Sequence, residues 1–267
     1  MTKSVLITGA SDGISRETAL QLARNGFHVL VHGRSEAKAR KITGSLDATD
    51  TTVTPVWGGF ENLHEVATLA EQVVAATDSL DALINNAGVS AKQRRMTTDG
   101  FELTMAVNHF APFLLTLKLL PSLKQAKAAR IVNVSSMTHN APTLDLNDLS
   151  FEQAWSSYDS YATSKLANIL FTQQLATNLK QSSVTANSLH PGVIGTKLLR
   201  AGFGDGGASV AEGARTSVFL ATSPQVSSLS GKYFVNCRQE KSSKKSTDPR
   251  LAAALWEASS NAVQSYL

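Results

Sequence analysis

Residues 4–35, SVLITGASDGISRETALQLARNGFHVLVHGRS, begin and end with short β-branched runs and carry a glycine-containing turn and a helical pattern between them. Short apolar runs bounded by glycine are typical of buried strands. Between the two runs, residues such as Thr18 and Leu22 recur with a period near 3.6, which is typical of a crossover helix. A strand, a helix and a second strand in this order predict two parallel strands of one sheet.

The same alternation continues along the rest of the chain. Further β-branched or apolar runs lie at 53–57, 81–85, 130–135, 184–190 and 232–236, with longer helical patterns between them. Repeated over about seven strands, the pattern predicts an α/β fold, a doubly wound parallel sheet of Rossmann type with helices on both faces. No linker rich in proline, glycine or serine divides the sequence, so we expect residues 1–267 to form a single domain.

The composition excludes several classes of protein. The chain is 42% hydrophobic, with 25 lysines and arginines against 21 acidic residues, which is typical of a globular protein and not of a disordered one. Its single cysteine, Cys237, can form neither an intrachain disulfide nor a cysteine-rich zinc site. We therefore expect no metal site, and a reducing, cytoplasmic location fits the cysteine content.

The sequence predicts neither a membrane span nor a nucleic-acid surface. The longest apolar stretch, at 110–120, is interrupted by Lys118 and is shorter than the roughly 20 apolar residues that a span needs. The apolar run at 5–7 is too short for the core of a signal peptide. The basic residues are scattered except at 241–245, so residues 241–248 are interpreted as a solvated surface loop.

The first turn, from Thr8 to Ser15, joins a strand to a helix. Glycines at such a turn let the backbone approach a pyrophosphate, and the helix N-terminus offers it free N–H groups and the positive end of the helix dipole. A tight turn without a ligand would have the same sequence, so both interpretations remain open. The candidate contacts are Thr8, Gly9, Ser11, Asp12, Gly13 and Ile14.

The second strand ends in His32-Gly33-Arg34-Ser35. An acidic residue here would accept a hydrogen bond from the ribose 2′-hydroxyl of NAD, whereas Gly33 and Arg34 leave space and positive charge for a 2′-phosphate. We therefore predict NADP as the cofactor, with Arg34 as a phosphate contact. Arg16, beside the first turn, is a second candidate. A solvated arginine at the start of a helix is the alternative for both.

Tyr161-Ala162-Thr163-Ser164-Lys165 stands at the head of an apolar helix. Residues four apart share one face of a helix, so the Lys165 ammonium can lie beside the Tyr161 phenol. A nearby positive charge lowers the pKa of a phenol by about 1–3 units at close range. Such a tyrosine could exchange a proton with a substrate at neutral pH. Because this spacing also arises by chance, the interpretation needs partner residues.

Suitable partners follow neighbouring strands. Ser136 comes directly after the run at 130–135, where its hydroxyl could hydrogen-bond a carbonyl oxygen. Asn85-Asn86-Ala87-Gly88 closes the preceding strand, and Asn108 lies inside the predicted helix 99–120. An amide in such a helix is usually a packing residue, so Asn108 gains functional weight only from the other candidates.

Two stretches, 137–157 and 193–210, lack clean periodicity. Both follow the carboxyl end of a strand, and the glycine-rich second stretch predicts a lid over the site, with an ordinary connecting loop as the alternative. The side chains that these two stretches would place around a substrate are mostly apolar, so we expect a small hydrophobic carbonyl or alcohol as substrate. They are Met137, His139, Trp155, Leu198, Leu199 and Phe203.

Taken together, the strings TGASDGIS, NNAG, the SS pair, YATSK and HPG resemble the short-chain dehydrogenase/reductase family, in the right order over nearly the whole chain. The strings RIVNVSSMTH and SKLANILFTQQLA are most similar to the branch of retinol dehydrogenases and WW-domain oxidoreductases. This resemblance implies an NADP-dependent oxidoreductase that transfers a hydride between the nicotinamide and a carbonyl or alcohol.

The resemblance also implies roles for individual residues. Tyr161 would be the general acid/base, Lys165 would lower its pKa and hold the nicotinamide ribose, and Ser136 would polarise the carbonyl. Asn108 would support a water that links Lys165 to solvent. The remaining cofactor contacts implied are Asn86, Ala87 and Gly88 along the adenosine, and Pro191, Gly192, Val193 and Thr196 beside the nicotinamide.

The chain departs from the family pattern at two places. Ser15 replaces the third glycine of the first turn, so we expect an altered helix–sheet contact with cofactor binding retained. Gly58-Gly59-Phe60-Glu61 replaces the Asp-Leu pair that faces the adenine, so the adenine would be held weakly or by backbone groups. The N-terminal anchor of the membrane-bound retinol enzymes is also not found, which weakens the inference to a retinoid.

A second interpretation stays open beside the enzyme. The departures would also fit a non-catalytic NADP(H)-binding regulator or interaction module, although such a protein has no need of the Tyr161 and Lys165 spacing. The oligomeric state is not given by the sequence. The apolar helices predicted at 99–120 and 158–177 pair subunits in much of the family, which makes a homo-oligomer one candidate.

Overall fold

The computed structural model describes residues 2–46, 51–141, 144–202 and 204–267. The strands found there are β1 (Ser4–Ile7), β2 (His28–Gly33), β3 (Val53–Trp57), β4 (Ala82–Asn85), β5 (Arg130–Val134), β6 (Thr185–His190), β7 (Tyr233–Val235) and β8 (Arg238–Glu240). They form one sheet in the order β3-β2-β1-β4-β5-β6-β7-β8. Every neighbouring pair is parallel except β7 and β8. The predicted doubly wound parallel sheet is confirmed.

The short edge strand β8 is a strand that the sequence does not predict. Its three residues are all exposed. Asn236 and Cys237, with φ of 48° and 61°, form the two-residue turn that brings the chain back from β7. Because β8 buries no side chain, it lacks the apolar pattern by which a strand is recognised.

Helices cover both faces of the sheet. They are α1 (Gly13–Arg24), α2 (Glu36–Leu46), α3 (Leu63–Ala76), α4 (Leu103–Met105), α5 (Ala111–Gln125), α6 (Ser157–Asn178), α7 (Lys197–Gly202), α8 (Val210–Thr222) and α9 (Pro249–Val263). Leu6 of β1 packs with α3, α5, α6 and α9, whereas its neighbours Val5 and Ile7 pack with α1, α2 and α8. This alternation of side chains is what buries the strands on both faces.

The predicted helix at 99–120 is present but shifted. Leu103–Gln125 is one continuous helix of 23 residues, in which a π-helical turn, Ala106–Phe110, joins α4 to α5. It begins at Leu103 because the Glu102 side chain accepts a hydrogen bond from the Met105 N–H at 2.9 Å. Its length and composition would allow it to cross a membrane, yet 78% of its most apolar window is buried in the protein. Packing in the core accounts for its apolar character.

Helix α9 packs against α6 and also reaches Phe113 of α5. The Trp256 ring lies 5.0 Å from the Phe113 ring of α5 and 6.0 Å from the Phe171 ring of α6, between centroids. Beyond α9, the Lys118 ammonium donates to the Tyr266 carbonyl at 3.1 Å. The two helices that pair subunits in much of the family are therefore packed against the chain's own C-terminal helix.

The irregular stretches contain short ordered elements. Residues 137–157 include a 3₁₀ turn, Met137–Asn140, and residues 193–210 include α7 and a bridge that pairs Ile194 with Ala208. Phe203, predicted as a substrate contact, lies outside the described residues. Within 241–248, the lysines are exposed and Ser246 is buried.

The order of the strands locates the site. It reverses between β1 and β4, and open α/β sheets bind ligands at such a reversal, outside the carboxyl ends of their strands. The first turn and the NNAG segment follow these two strands, and Ser136 follows the neighbouring β5. The sheet therefore brings the candidate residues to one edge.

Candidate active site

Tyr161 and Lys165 lie in the first turns of α6. The helix begins at Ser157 because the Ser156 side chain accepts a hydrogen bond from the Asp159 N–H at 2.9 Å. Both side chains are buried, and the Lys165 Nζ lies 5.5 Å from the centre of the Tyr161 ring. The spacing of four residues therefore brings the ammonium beside the phenol, as the sequence predicts.

Lys165 is fixed to the end of β5. Its ammonium donates to the Val134 carbonyl at 3.0 Å, and the Ser135 hydroxyl donates to the Lys165 carbonyl at 2.7 Å. These two hydrogen bonds hold the helix and the strand together at the site. Because burial penalises the charged ammonium, the pKa of Lys165 falls to about 8.

The phenol of Tyr161 responds to burial in the opposite direction. Burial raises its pKa to about 12, while a hydrogen bond with the Ser136 side chain acts to lower it. The lowering of the phenol pKa predicted from the sequence is therefore not found, because burial penalises the charged phenolate. Ser136 is positioned as the cap of the 3₁₀ turn, where its hydroxyl accepts from the Thr138 N–H at 3.3 Å.

Asn108 occupies the π-helical turn and is fully buried. Its amide exchanges two hydrogen bonds with the backbone of Val89, at 2.8 and 2.9 Å, and donates to the Ser164 hydroxyl at 2.9 Å. Asn108 thus joins the segment after β4 to α6, which is the packing role that the sequence left open. A Cβ at Gly88 would lie 3.4 Å from the Asn108 Oδ1 and 3.5 Å from the Lys165 Nζ.

The first turn packs directly on the NNAG segment. The Thr8 hydroxyl accepts hydrogen bonds from the N–H groups of Asn86 and Ala87, both at 3.0 Å. Gly9 has φ +69°, and a Cβ there would lie 2.9 Å from the Ala87 Cα. Glycine is therefore required at position 9 by both its conformation and this close approach.

Ser15 explains how the chain tolerates the missing third glycine. Its side chain is buried, and its hydroxyl accepts a hydrogen bond from the Asn86 amide. The expected change in the helix–sheet contact is thus an added polar contact between α1 and the NNAG segment.

The N-terminus of α1 opens into a cleft of about 170 Å³. Asp12 caps the helix by accepting from the Gly13 N–H at 2.8 Å, and it forms an ion pair with Lys197 that lowers the pKa of its carboxyl. The cleft brings together residues of the first turn with residues of 193–210. Its lining is Asp12, Gly13, Arg16, Glu17, Gly195, Thr196, Lys197, Arg200 and Val210.

This cleft fits the pyrophosphate of a dinucleotide. Glycine at position 13, with φ +58°, keeps the backbone open towards Thr196, since a Cβ there would lie 3.3 Å from the Thr196 Cγ2. A helix N-terminus with cationic side chains around it is a favourable site for an anion. Lys197 and Arg200 were not singled out in the sequence, because their stretch has no recognisable pattern.

Gly33 and Arg34 lie at the end of β2, towards the other end of the site. A Cβ at Gly33 would lie 2.7 Å from the Ala39 nitrogen, so the start of α2 itself requires glycine there. Packing against α2 therefore explains why position 33 is glycine, independently of a 2′-phosphate. The Arg34 side chain is exposed beside it.

The segment after β3 is packed against α3. A Cβ at Gly58 would lie 2.7 Å from the Glu65 carbonyl oxygen, and the Gly59 N–H donates to the Glu65 carboxylate at 2.6 Å. The Glu65 carboxylate therefore accepts the hydrogen bond of the Gly59 N–H. Gly59 belongs to the segment in which the family has its adenine-facing aspartate. A side chain at position 58 has no room.

A larger groove of about 800 Å³ lies beyond Ser136. Met137 and His139 line it as predicted, but its other wall comes from β7, β8 and α8 and is mostly polar. Trp155, Leu198 and Leu199 are not among the residues that line it; the Trp155 indole donates to the Glu102 carboxylate at 3.1 Å instead. Neither Ser136 nor Tyr161 is among the residues that line this groove, so the apolar substrate pocket stays a prediction.

Comparisons with known proteins give the same picture as the site. Residues 3–204 match the family described as short chain dehydrogenase. The chain is 37% identical to human retinol dehydrogenase 14 over 289 residues, covering 96% of this chain and 85% of that protein. It is 36% identical to human retinol dehydrogenase 12 over 268 residues, with 96% and 85% covered.

Solved structures are similar over most of the chain. An uncharacterised protein from Mycobacterium paratuberculosis superposes with a TM-score of 0.82 at 30% identity, covering 98% of this chain and 93% of that one. A short chain dehydrogenase from Escherichia coli, solved in complex with NADPH, superposes with a TM-score of 0.73 at 26% identity, covering 88% and 97%. The shared features therefore extend from the first turn through the sheet and its helices.

Proposed function

The chain belongs to the short-chain dehydrogenase family, and we propose that it is an NADP-dependent oxidoreductase that acts on a carbonyl or alcohol. The observation that carries this proposal is the convergence of Ser136, Tyr161 and Lys165 at the carboxyl end of β5, beside a glycine turn that fits a dinucleotide. When bound, the nicotinamide supplies or accepts the hydride.

The residues of the chain supply the proton and the orientation. With its pKa raised to about 12, Tyr161 is protonated at neutral pH and is therefore suited to give a proton to a carbonyl oxygen. Ser136, hydrogen-bonded to the same phenol, would donate to that oxygen and orient it. Lys165 holds a positive charge beside the phenol, which favours the phenolate left after the proton has moved.

We assign the contacts along the cofactor from the resemblance to the family. Asn86 and Ala87 pack against the first turn, and together with Gly88 they would lie along the adenosine side. Arg34, exposed at the end of β2, would hold the 2′-phosphate. On the nicotinamide side, we assign Pro191 and Gly192, which follow β6, and Val193 and Thr196, which precede α7 in the stretch 193–210.

The stretch 193–210 would act as the lid of this site. The Asp12–Lys197 ion pair joins it to the first turn, and the bridge between Ile194 and Ala208 brings its two ends together. The protein would work as one domain over 1–267. The cytoplasmic location and the solvated character of 241–248 stay predictions.

Replacing Tyr161 by phenylalanine tests the reaction. NADPH oxidation is measured with a panel of aldehydes, ketones and quinones that includes retinal, because the similar curated proteins are named for retinol. Loss of the proton donor should lower turnover by about 10²–10⁴-fold. Tyr158→Phe is the matched control, since Tyr158 lies one turn earlier on α6 and is exposed. Equal turnover in wild type and Tyr161→Phe would show that Tyr161 is not the proton donor.

The cofactor choice needs a separate measurement. Arg34→Ala should weaken NADPH binding at least tenfold and leave NADH binding unchanged, because only NADPH carries the 2′-phosphate. Arg40→Ala, an exposed arginine of α2 paired with Glu36, is the control. Tight NADPH binding without turnover on the whole panel would instead support the non-catalytic regulator.

A further inference from the structure

His32 joins three neighbouring strands at the edge of the sheet that carries the site. It is the penultimate residue of β2 and is 1% exposed. The Gly9 N–H, after β1, donates to its Nδ1 at 3.1 Å. Its Nε2 lies 2.8 Å from the carbonyl oxygen of Gly58, after β3. The ring therefore connects the first turn to the segment after β3.

The hydrogen bonds fix the tautomer of this ring. A backbone N–H can only donate, so Nδ1 must be the acceptor and Nε2 must carry the proton that is given to Gly58. The ring also stacks on Phe60, with 4.7 Å between centroids and 18° between planes. Burial lowers the pKa of His32 to about 4, so the ring is neutral at physiological pH. Both nitrogens are occupied, and the ring has one possible orientation.

His32 also determines which N–H groups of the first turn face a ligand. The Gly9 N–H donates to its ring and the Ala10 N–H donates to its carbonyl at 2.9 Å, while the Thr8 N–H donates to Ile84 at 3.0 Å. These three successive groups point into the protein. A ligand cannot use these three groups, and of those that follow, the Gly13 N–H donates to the Asp12 side chain at 2.8 Å.

The other end of the ring reaches the segment where the family has its adenine-facing aspartate. In this segment, the Gly58 N–H also donates a hydrogen bond to the Gly33 carbonyl at 3.2 Å. One buried side chain thus hydrogen-bonds both the pyrophosphate side and the adenine side of the site.

We propose that His32 is a positioning residue for the adenosine half of the dinucleotide. It holds Gly9 and Gly58 at a fixed separation and thereby shapes the two backbone segments on which that half of the cofactor rests. This inference rests on the proposed function, because it takes the dinucleotide as the ligand. It places no part of the proton transfer on His32.

Two variants separate the two hydrogen bonds. His32→Asn keeps an acceptor near the Nδ1 position for Gly9 and loses the donor to Gly58. His32→Gln keeps an N–H near the Nε2 position for Gly58 and loses the acceptor for Gly9. The probes are NADPH and 2′,5′-ADP, which carries only the adenosine half, and binding is measured by calorimetry.

Both variants should weaken NADPH and 2′,5′-ADP by the same factor, of about tenfold. Turnover at saturating NADPH and the KM of the carbonyl substrate should stay within about twofold of wild type. His28→Gln is the matched control, because His28 bridges the same three strands at their other end, through Ser4 at 3.3 Å and Thr54 at 2.8 Å. It should leave both affinities unchanged.

The outcomes are distinguishable. Wild type that binds neither probe contradicts the proposed function. Wild type that binds both, with His32→Gln binding them equally well, overturns the role of His32, and so does an equal loss in His28→Gln. If the variants fail to fold, a measurement on wild type still tests the hydrogen bonds of His32. The ¹⁵N chemical shifts of its ring should show a neutral Nε2–H tautomer at pH 6. A protonated ring or the other tautomer at that pH would also overturn the proposal.

Discussion

The Ser259 hydroxyl and the Nε2 of His109 lie 2.7 Å apart, although 150 residues separate them in the chain. His109 follows Asn108 in the π-helical turn and is fully buried among aromatic rings, including those of Phe113 and Phe171. Ser259 is fully buried on α9. This hydrogen bond therefore ties the C-terminal helix to the turn that carries one of the candidate site residues.

Removing the hydroxyl should destabilise the fold measurably. Ser259→Ala leaves the buried His109 ring without this partner, which should cost about 1–3 kcal/mol in the free energy of unfolding. Urea unfolding followed by circular dichroism measures the difference. The neighbouring, partly exposed Ser260 is the control, and Ser260→Ala should change stability by less than about 0.5 kcal/mol. Equal effects of the two substitutions would contradict a specific role for the bond.

The cover provided by α9 predicts a monomer in solution. Trp256 of α9 already packs against Phe113 of α5 and Phe171 of α6, so we expect this part of the two helices not to pair with a second copy. Light scattering coupled to size-exclusion chromatography should give the mass of one chain at micromolar concentration. A dimer that persists on dilution, and that Trp256→Ala alters, would show that subunits pair here despite the cover.

Much of the fold follows from the sequence because its signals are local. Buried β-branched runs and intervening helical periods are sufficient to place β1 to β7 and most helices between them, but not α7, whose stretch lacks a clean period. β8 has no such signal, since its three residues are exposed. The predicted helix at 99–120 begins later than its apolar pattern, because Glu102 supplies the cap and Gly100 takes a positive φ just before it.

The site likewise contains residues that can be predicted from the sequence and residues that only the structure shows. Tyr161 and Lys165 are found from their spacing, since four residues on a helix fix which side chains are neighbours. The roles of His32 and Ser15 depend on partners 23 and 71 residues away, which no spacing reveals. The rise in the phenol pKa cannot be predicted from the sequence for a related reason. Burial dominates it, and burial is a property of the packed structure.

Buried neutral histidines should make the protein sensitive to acid. Burial lowers the pKa of both His32 and His109 to about 4, against about 6.5 in an unfolded chain. The unfolded state therefore binds more protons as the pH falls from 6.5 to 4, and stability is lost over that interval. Each residue could remove up to about 3 kcal/mol. Urea midpoints that stay constant between pH 7 and pH 4.5 would contradict this expectation.

Lys165 should set an alkaline limit on carbonyl reduction. Its pKa is lowered to about 8, so the ammonium beside Tyr161 is present at pH 7 and is lost as the pH rises through about 8. Once it is neutral, the phenolate formed by proton transfer loses its stabilising charge, and turnover at saturating substrate should fall about tenfold for each further pH unit. Steady-state rates from pH 6 to pH 10 give the profile. Lys165→Met should lower turnover throughout and remove this alkaline limb, whereas a variant that keeps the limb would assign it to another group.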